Sequence, residues 1–285
     1  MKKILFLTDF SDIAEHAFIY ALSLAEKINA ELHILHIVPI IEAKDPDEMS
    51  NIHPLAKVFN DSLEDDEWEQ FEIEAGKLEK IAKESNKLNV PVEFHFEKGI
   101  FLDTTSDYIA EKFIDVVVMG TAGANTIDKK LFGSHTAQLI NLIDIPFLAV
   151  PERAVFVAMN TITVAVMLNA NEYPIIQRLY QNSLKYNFNL NCVHVAESDK
   201  MAVAAKSKIS KWLQEMGNDR LNVDIEVNID VEKGLEKYVQ RNDTNILCII
   251  HRNLSYFQRM FRPNHSNRLL HDSKTALLIY NRKNK

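Results

Sequence analysis

Val116-Val117-Val118-Met119-Gly120-Thr121-Ala122-Gly123, continuing through Lys129-Lys130 to Leu131-Phe132-Gly133-Ser134, is the stretch that decides the fold. Four consecutive apolar residues read as a strand buried on both faces. The segment after them holds three of the seven glycines in the chain and runs into a helical pattern over Ser134–Ile143. Gly120 and Gly123 let a ligand approach the backbone with no Cβ in the way. Gly133 and Ser134 open a helix whose first amides lack partners and whose dipole favours an anion. Lys129 or Lys130 adds positive charge. The same glycines serve equally well as plain turn residues, and at this level both readings stand. The stretch is not a Walker A loop, because Gly-Lys-Ser/Thr is absent, and it is not Gly-x-Gly-x-x-Gly.

Outward from this point, short apolar runs alternate with segments of helical period. Toward the start, strands are expected at Ile4–Leu7, Glu31–Val38 and Val90–Phe96. Ser11 is suited to cap the first helix by accepting from a free amide. Ala14, Ala17, Ala21, Leu24 and Ile28 give that helix one small apolar face. Glu42 to Glu67 reads as a polar stretch, with a helix from there to about Leu88 and another over Leu102–Phe113. A fifth strand is expected at Pro146–Val150. Such alternation implies a parallel sheet covered by helices on both faces, and right-handed crossovers make it doubly wound.

The pattern then repeats. Thr161–Leu168, Leu190–Val195, Val223–Val227, Ile246–Ile250 and Ala276–Tyr280 read as five further strands. Leu35-His36-Ile37-Val38 is echoed by Val193-His194-Val195, and Glu97-Lys98-Gly99-Ile100 by Glu232-Lys233-Gly234-Leu235. The reading is a duplication with a linker near Pro151–Asn160. It implies two tandem doubly wound α/β domains, residues 1–151 and 160–285, each a Rossmann-like parallel sheet of five strands.

The 285 residues are 47% hydrophobic and 25% charged, as in ordinary globular chains. A formal charge of −8 disfavours a nucleic-acid partner held by phosphate neutralisation. No apolar run is long enough to span a bilayer, and Asp9 and Asp12 interrupt the start, so a membrane role and a signal peptide are not expected. Cys192 and Cys248 sit in apolar runs and read as reduced, buried thiols of a cytoplasmic protein. His251, His265 and His271 lack compact ligand spacing, and no metal site is expected.

Gly120, Gly123, Gly133 and Ser134 reproduce the Gly-x2-Gly-x9-Gly-Ser/Thr spacing of the universal stress protein family, which the chain resembles. The family also carries an Asp at the end of its first strand, matched by Asp9 in Leu7-Thr8-Asp9-Phe10-Ser11. His36-Ile37-Val38 matches the segment whose backbone meets adenine. The resemblance covers all of the first domain and, more weakly, the second. It implies binding of ATP, ADP or AMP, with Mg2+ accompanying the nucleotide. Asp9 would contact ribose or adenine, with Thr8 beside it in the nucleotide site, and the Val38 backbone would meet the adenine edge. Gly123, Gly133, Ser134 and the His135 amide would hold phosphates, with Gly120 leaving the ligand room to approach the backbone. The resemblance further implies a sensor or switch, and a tandem chain that pairs its two domains as an intramolecular pseudo-dimer, with homodimers as an alternative.

No base and nucleophile share one short motif, so no catalytic residue is assigned and at most slow hydrolysis is expected. A nucleotidyl transferase or ATP pyrophosphatase would carry His-x-Gly-His, Lys-Met-Ser-Lys-Ser or Ser-Gly-Gly-x-Asp-Ser, none of which occurs. A ligand-free interaction protein would not need the complete glycine motif. In the second copy His251-Arg252-Asn253-Leu254 aligns with Gly120 to Gly123, and Asn264-His265 with Gly133-Ser134. Met167-Leu168-Asn169 stands where the first copy has Asp9. A worn site without adenine nucleotide is expected there.

Overall fold

A computed structural model describes residues 1–40, 49–85, 87, 89–121, 134–156, 158–251 and 275–281. Packing separates two units, Met1–Val117 and Val118–Lys285.

In the first unit the elements are β1 (Lys2–Leu7), α1 (Asp12–Ile28), β2 (Ala30–Pro39), α2 (Met49–Glu84), β3 (Val92–Gly99) and α3 (Phe101–Lys112). The strand order is β3-β2-β1, all parallel, with Leu7 beside Leu35 and His33 beside Glu93. The Ser11 hydroxyl accepts from Ala14 N at 3.3 Å and so starts α1, as its sequence position predicts. Asn29 ends that helix in the left-handed conformation. Ala14, Ala17, Ala21 and Leu24 are buried, so the small face packs closely; Ile28 is half-buried.

The second unit contains most of β4 (Val116–Thr121), then α4 (Ser134–Leu142), β5 (Phe147–Pro151) and β6 (Thr161–Ala165). A short 3-10 turn, Ala170–Glu172, leads into α5 (Tyr173–Tyr186). After it come β7 (Asn189–Ala196), α6 (Asp199–Met216), β8 (Val223–Val227), α7 (Val231–Arg241), β9 (Ile246–His251) and β10 (Ala276–Asn281). The strand order is β4-β5-β10-β9-β6-β7-β8. From β8 to β10 every pair is parallel, whereas β10 and β5 run antiparallel, Leu278 opposite Leu148. The mixed α/β architecture is the one the sequence alternation predicts.

The duplication is visible in matched backbone details. Lys3 N bonds the Asp115 carboxylate and Asp115 N bonds Lys3 O; Thr161 N bonds the Asn245 side chain and Asn245 N bonds Thr161 O. Asn29 and Asn187 both close their helices with positive φ. His36 Nδ1 donates to Thr8 O at 3.0 Å, and His194 Nδ1 donates to Val166 O at 3.0 Å.

Three local readings are corrected. The helix expected from Glu67 begins at Met49. Ile52, Leu55, Ala56 and Phe59 already have helical spacing, and Pro54 hides it. The Gly99 and Gly234 echo is not an equivalence: Gly99 closes β3 while Gly234 lies in the first turn of α7. A Cβ on Gly234 would meet Val195 Cγ1 at 2.8 Å, so that glycine serves close packing of helix on strand. Finally, Asp115 and Asn245 hold the same place, which sets Thr121 against His251 and Gly120 against Ile250, one residue from the sequence alignment.

No helix among the described residues is long and apolar enough to cross a membrane. Cys192 and Cys248 are free and fully buried. Burial, with Glu172 and Asp224 adding to it, pushes the Cys192 thiol up to about 12, and burial raises Cys248 further. Thiolate is the reactive form, so neither cysteine is expected to react with a disulfide reagent in the folded chain. Both are expected to react in denaturant. Rapid labelling without denaturant would contradict this packing.

Candidate functional site

The turn after β1 is built by its own polar side chains. Thr8 N donates to Leu35 O at 3.1 Å, which ties the turn to β2. Phe10 N donates to Thr8 Oγ1 at 3.0 Å. Asp9 is exposed, and its Oδ1 accepts from Ser11 N at 3.1 Å and Ser11 Oγ at 2.7 Å. A carboxylate has acceptor capacity beyond two such bonds, so Asp9 both shapes the turn and still presents charge. Phe10 sits at φ 58, where a bulky residue is strained by roughly 1–2 kcal/mol. Leu168 takes φ 60 at the matching place in the second copy, so the strain belongs to the fold itself.

Behind the turn, β2 carries His36 and Val38, the latter buried. Since Thr8 O accepts from His36 Nδ1, the other ring nitrogen is left facing outward, 3.7 Å from Glu67 Oε2. Phe10, His36, Trp68, Phe71 and Phe96 form a continuous aromatic group with centroids 4.8–6.4 Å apart. The structure therefore gathers Thr8, Asp9, His36 and Val38 at the carboxyl ends of β1 and β2. Gly120 is buried near the end of β4. Ser134 and His135 are the first two residues of α4, so a helix start follows the glycine motif as expected. Gly123 and Gly133, with Lys129 and Lys130, lie outside the described residues.

The second copy fills its corresponding turn from within. Glu172 is 4% exposed. Its carboxylate accepts from Met167 N at 2.9 Å and Asn169 N at 3.0 Å. Trp212 Nε1 donates to Asn169 O at 3.1 Å. Met167 stands where Asp9 stands in the first copy. The crevice between first and fourth strands, here β6 and β9, is where doubly wound sheets bind ligands. In this copy the turn amides after β6 are already held by an internal carboxylate. A cavity of about 580 Å³ lies elsewhere in the unit, lined by Gln177, Arg178, Tyr180, Gly217, Asn218 and Arg220.

The sequence reading missed one group in the first unit. Glu31-Leu32-His33 and Glu93-Phe94-His95 are two Glu-x-His triplets on adjacent strands. The parallel register sets His33 beside Glu93, so all four polar side chains share one sheet face. His33 is 1% exposed; its Nδ1 is 2.9 Å from the Tyr108 hydroxyl of α3. His33 Nδ1 is also 3.7 Å from Glu93 Oε2, and His95 Nε2 is 3.2 Å from that same oxygen. His33 Nε2 lies 3.1 Å from Glu31 Oε1 without hydrogen-bond alignment, and has no hydrogen-bond partner among the described residues. Burial holds the His33 pKa below its ordinary value against the pull of Glu31 and Glu93. The repeated triplet was the available signal, but nothing local says that the two strands pair.

Comparison with known proteins supplies a family. The model of the universal stress protein family matches residues 1–151. Universal stress protein MJ0577 of Methanocaldococcus jannaschii is 29% identical over 156 residues, covering 53% of this chain and 96% of that protein. Universal stress protein Slr1230 of Synechocystis is 24% identical over 261 residues, covering 87% of this chain and 89% of that protein. Among solved structures, a universal stress protein from Archaeoglobus fulgidus aligns over 99% of this chain and 98% of its own, with TM-score 0.65 and 16% identity, a likeness of fold.

Proposed function

Because the chain belongs to the universal stress protein family, we propose that it binds one adenine nucleotide, in its first copy, and acts as a slow regulatory switch in the cytoplasm. The observation that carries this reading is the complete spacing of Gly120, Gly123, Gly133 and Ser134, ending where α4 begins. In the proposed site Thr8 and Asp9 meet ribose or adenine, and the Val38 backbone meets the adenine edge. Gly120, Gly123, Gly133, Ser134 and the His135 amide hold phosphates, in keeping with anion binding at a helix start. The only cluster of potential metal ligands among the described residues is at His33, Glu93 and His95. In this reading magnesium arrives on the nucleotide's own phosphates, as is usual for that ion.

The proposed domains are residues 1–151 and 160–285, with the second free of adenine nucleotide because Glu172 occupies its turn amides. The antiparallel pairing of β5 with β10 supports a pseudo-dimer of the two copies within one chain. Slow turnover follows from the absence of a paired base and nucleophile in the motif.

Calorimetry on the whole chain is expected to give one ATP or ADP per chain. Phosphate release is expected to be far slower than the typical enzyme rate of about 10 per second. Absence of both heat and thermal shift at millimolar nucleotide would remove the nucleotide reading. Rapid multiple turnover would instead promote the enzyme reading.

A further inference from the structure

We propose that His33, Glu93 and His95 form a binding site for a divalent transition-metal ion of the zinc class, on the sheet face under α3. This site is independent of the nucleotide reading. His33 and His36 differ by three positions on one strand, so their side chains leave opposite faces of the sheet. His36 joins the aromatic group with Phe71 of α2, whereas His33 joins Tyr108 of α3.

The donor spacing fits such an ion. One nitrogen or oxygen from each residue lies within 4.8 Å of the other two. Nitrogen and oxygen ligands of tetrahedral zinc stand about 2.0–2.2 Å from the metal, which places them roughly 3.3–3.6 Å from one another. His33 Nδ1 to Glu93 Oε2 is 3.7 Å and His95 Nε2 to Glu93 Oε2 is 3.2 Å. These two separations thus lie within a few tenths of an ångström of that range, while the His33 and His95 nitrogens, held within 4.8 Å of each other, must draw together when the ion binds. Two imidazoles select a zinc-class ion over magnesium or calcium, which prefer oxygen. Three protein ligands leave a fourth position to water, on the side where the Glu93 side chain is 52% exposed.

A second observation is independent of that spacing. His33 is 1% exposed, and its Nε2 faces Glu31 Oε1 at 3.1 Å without a completed hydrogen bond. A metal on Nδ1 fixes the proton on Nε2, and a carboxylate beside that nitrogen is the usual orienting partner of a metal-bound histidine. The metal replaces the Tyr108 hydroxyl on Nδ1, so Tyr108 competes with it for one lone pair.

The test uses the full chain stripped with a chelator, titrated with zinc by calorimetry and with cobalt by visible absorption. One zinc per chain and a tetrahedral cobalt spectrum are expected. His95→Ala and Glu93→Gln alter partly exposed side chains, and each is expected to abolish the cobalt spectrum. Glu31→Gln is expected to weaken zinc about 10–100-fold, while Tyr108→Phe keeps the site and strengthens it. Should His95→Ala fail to fold, Glu93→Gln decides alone. No zinc uptake by the parent chain, or equal uptake by the folded Glu93→Gln chain, would overturn the proposal.

Discussion

Gly133→Val is expected to weaken adenine-nucleotide binding at least about 100-fold, a loss of about 2.8 kcal/mol, while the melting temperature and helix content stay near those of the parent. Gly133 immediately precedes Ser134, the first residue of α4. The amides of a first helical turn have no partners inside the helix, and a phosphate takes that role. Valine adds a branched Cβ at that approach and removes the freedom of the glycine backbone. Charge-assisted bonds are each worth about 1.5–3 kcal/mol, so displacement of two is enough for the predicted effect. Calorimetry beside a thermal melt checks it. A variant that binds within threefold of the parent would mean that phosphate lies elsewhere. A variant that melts early would make Gly133 a turn residue, the reading left open by the motif alone.

For Glu172→Ala the expected outcome is a loss of about 3 kcal/mol in unfolding free energy, with nucleotide binding by the first copy unchanged. The carboxylate is 4% exposed and accepts from Met167 N and Asn169 N. Alanine leaves both part-buried amides without this acceptor, and an orphaned group costs about 1–3 kcal/mol where water does not reach it. Water entering the vacated space recovers part of that cost. Glu172→Gln keeps one acceptor oxygen but turns an NH2 toward the second amide, and an intermediate loss is expected. Urea unfolding followed by circular dichroism measures both. A shift below 1 kcal/mol for alanine would show that the turn holds without the carboxylate.

Several parts of this molecule were legible from neighbours in sequence. Ser11 reads as a cap, and it is one, because capping involves residues three apart. The small residues of α1 read as a packing face because helical period is local. His36 and His194 read as equivalent, and each bonds the carbonyl of the residue that follows its first strand by the same step, Thr8 or Val166. Local signals failed where two appeared together: Pro54 obscured the start of α2, and a shared Glu-Lys-Gly triplet suggested an equivalence between Gly99 and Gly234 that their elements do not share.

What the sequence determined by itself is the alternation of strands and helices, the duplication, and the motif that marks the first copy. Each rests on periodicity, capping or spacing, which the chain sets over a few turns. Tertiary structure alone decided that β5 meets β10 antiparallel and that His33 stands beside Glu93. These depend on strand order and register between segments far apart along the chain. A one-residue slip would turn His95 to the other face of the sheet. Register is settled by burying the whole apolar surface at once, a collective property that no short window of residues contains.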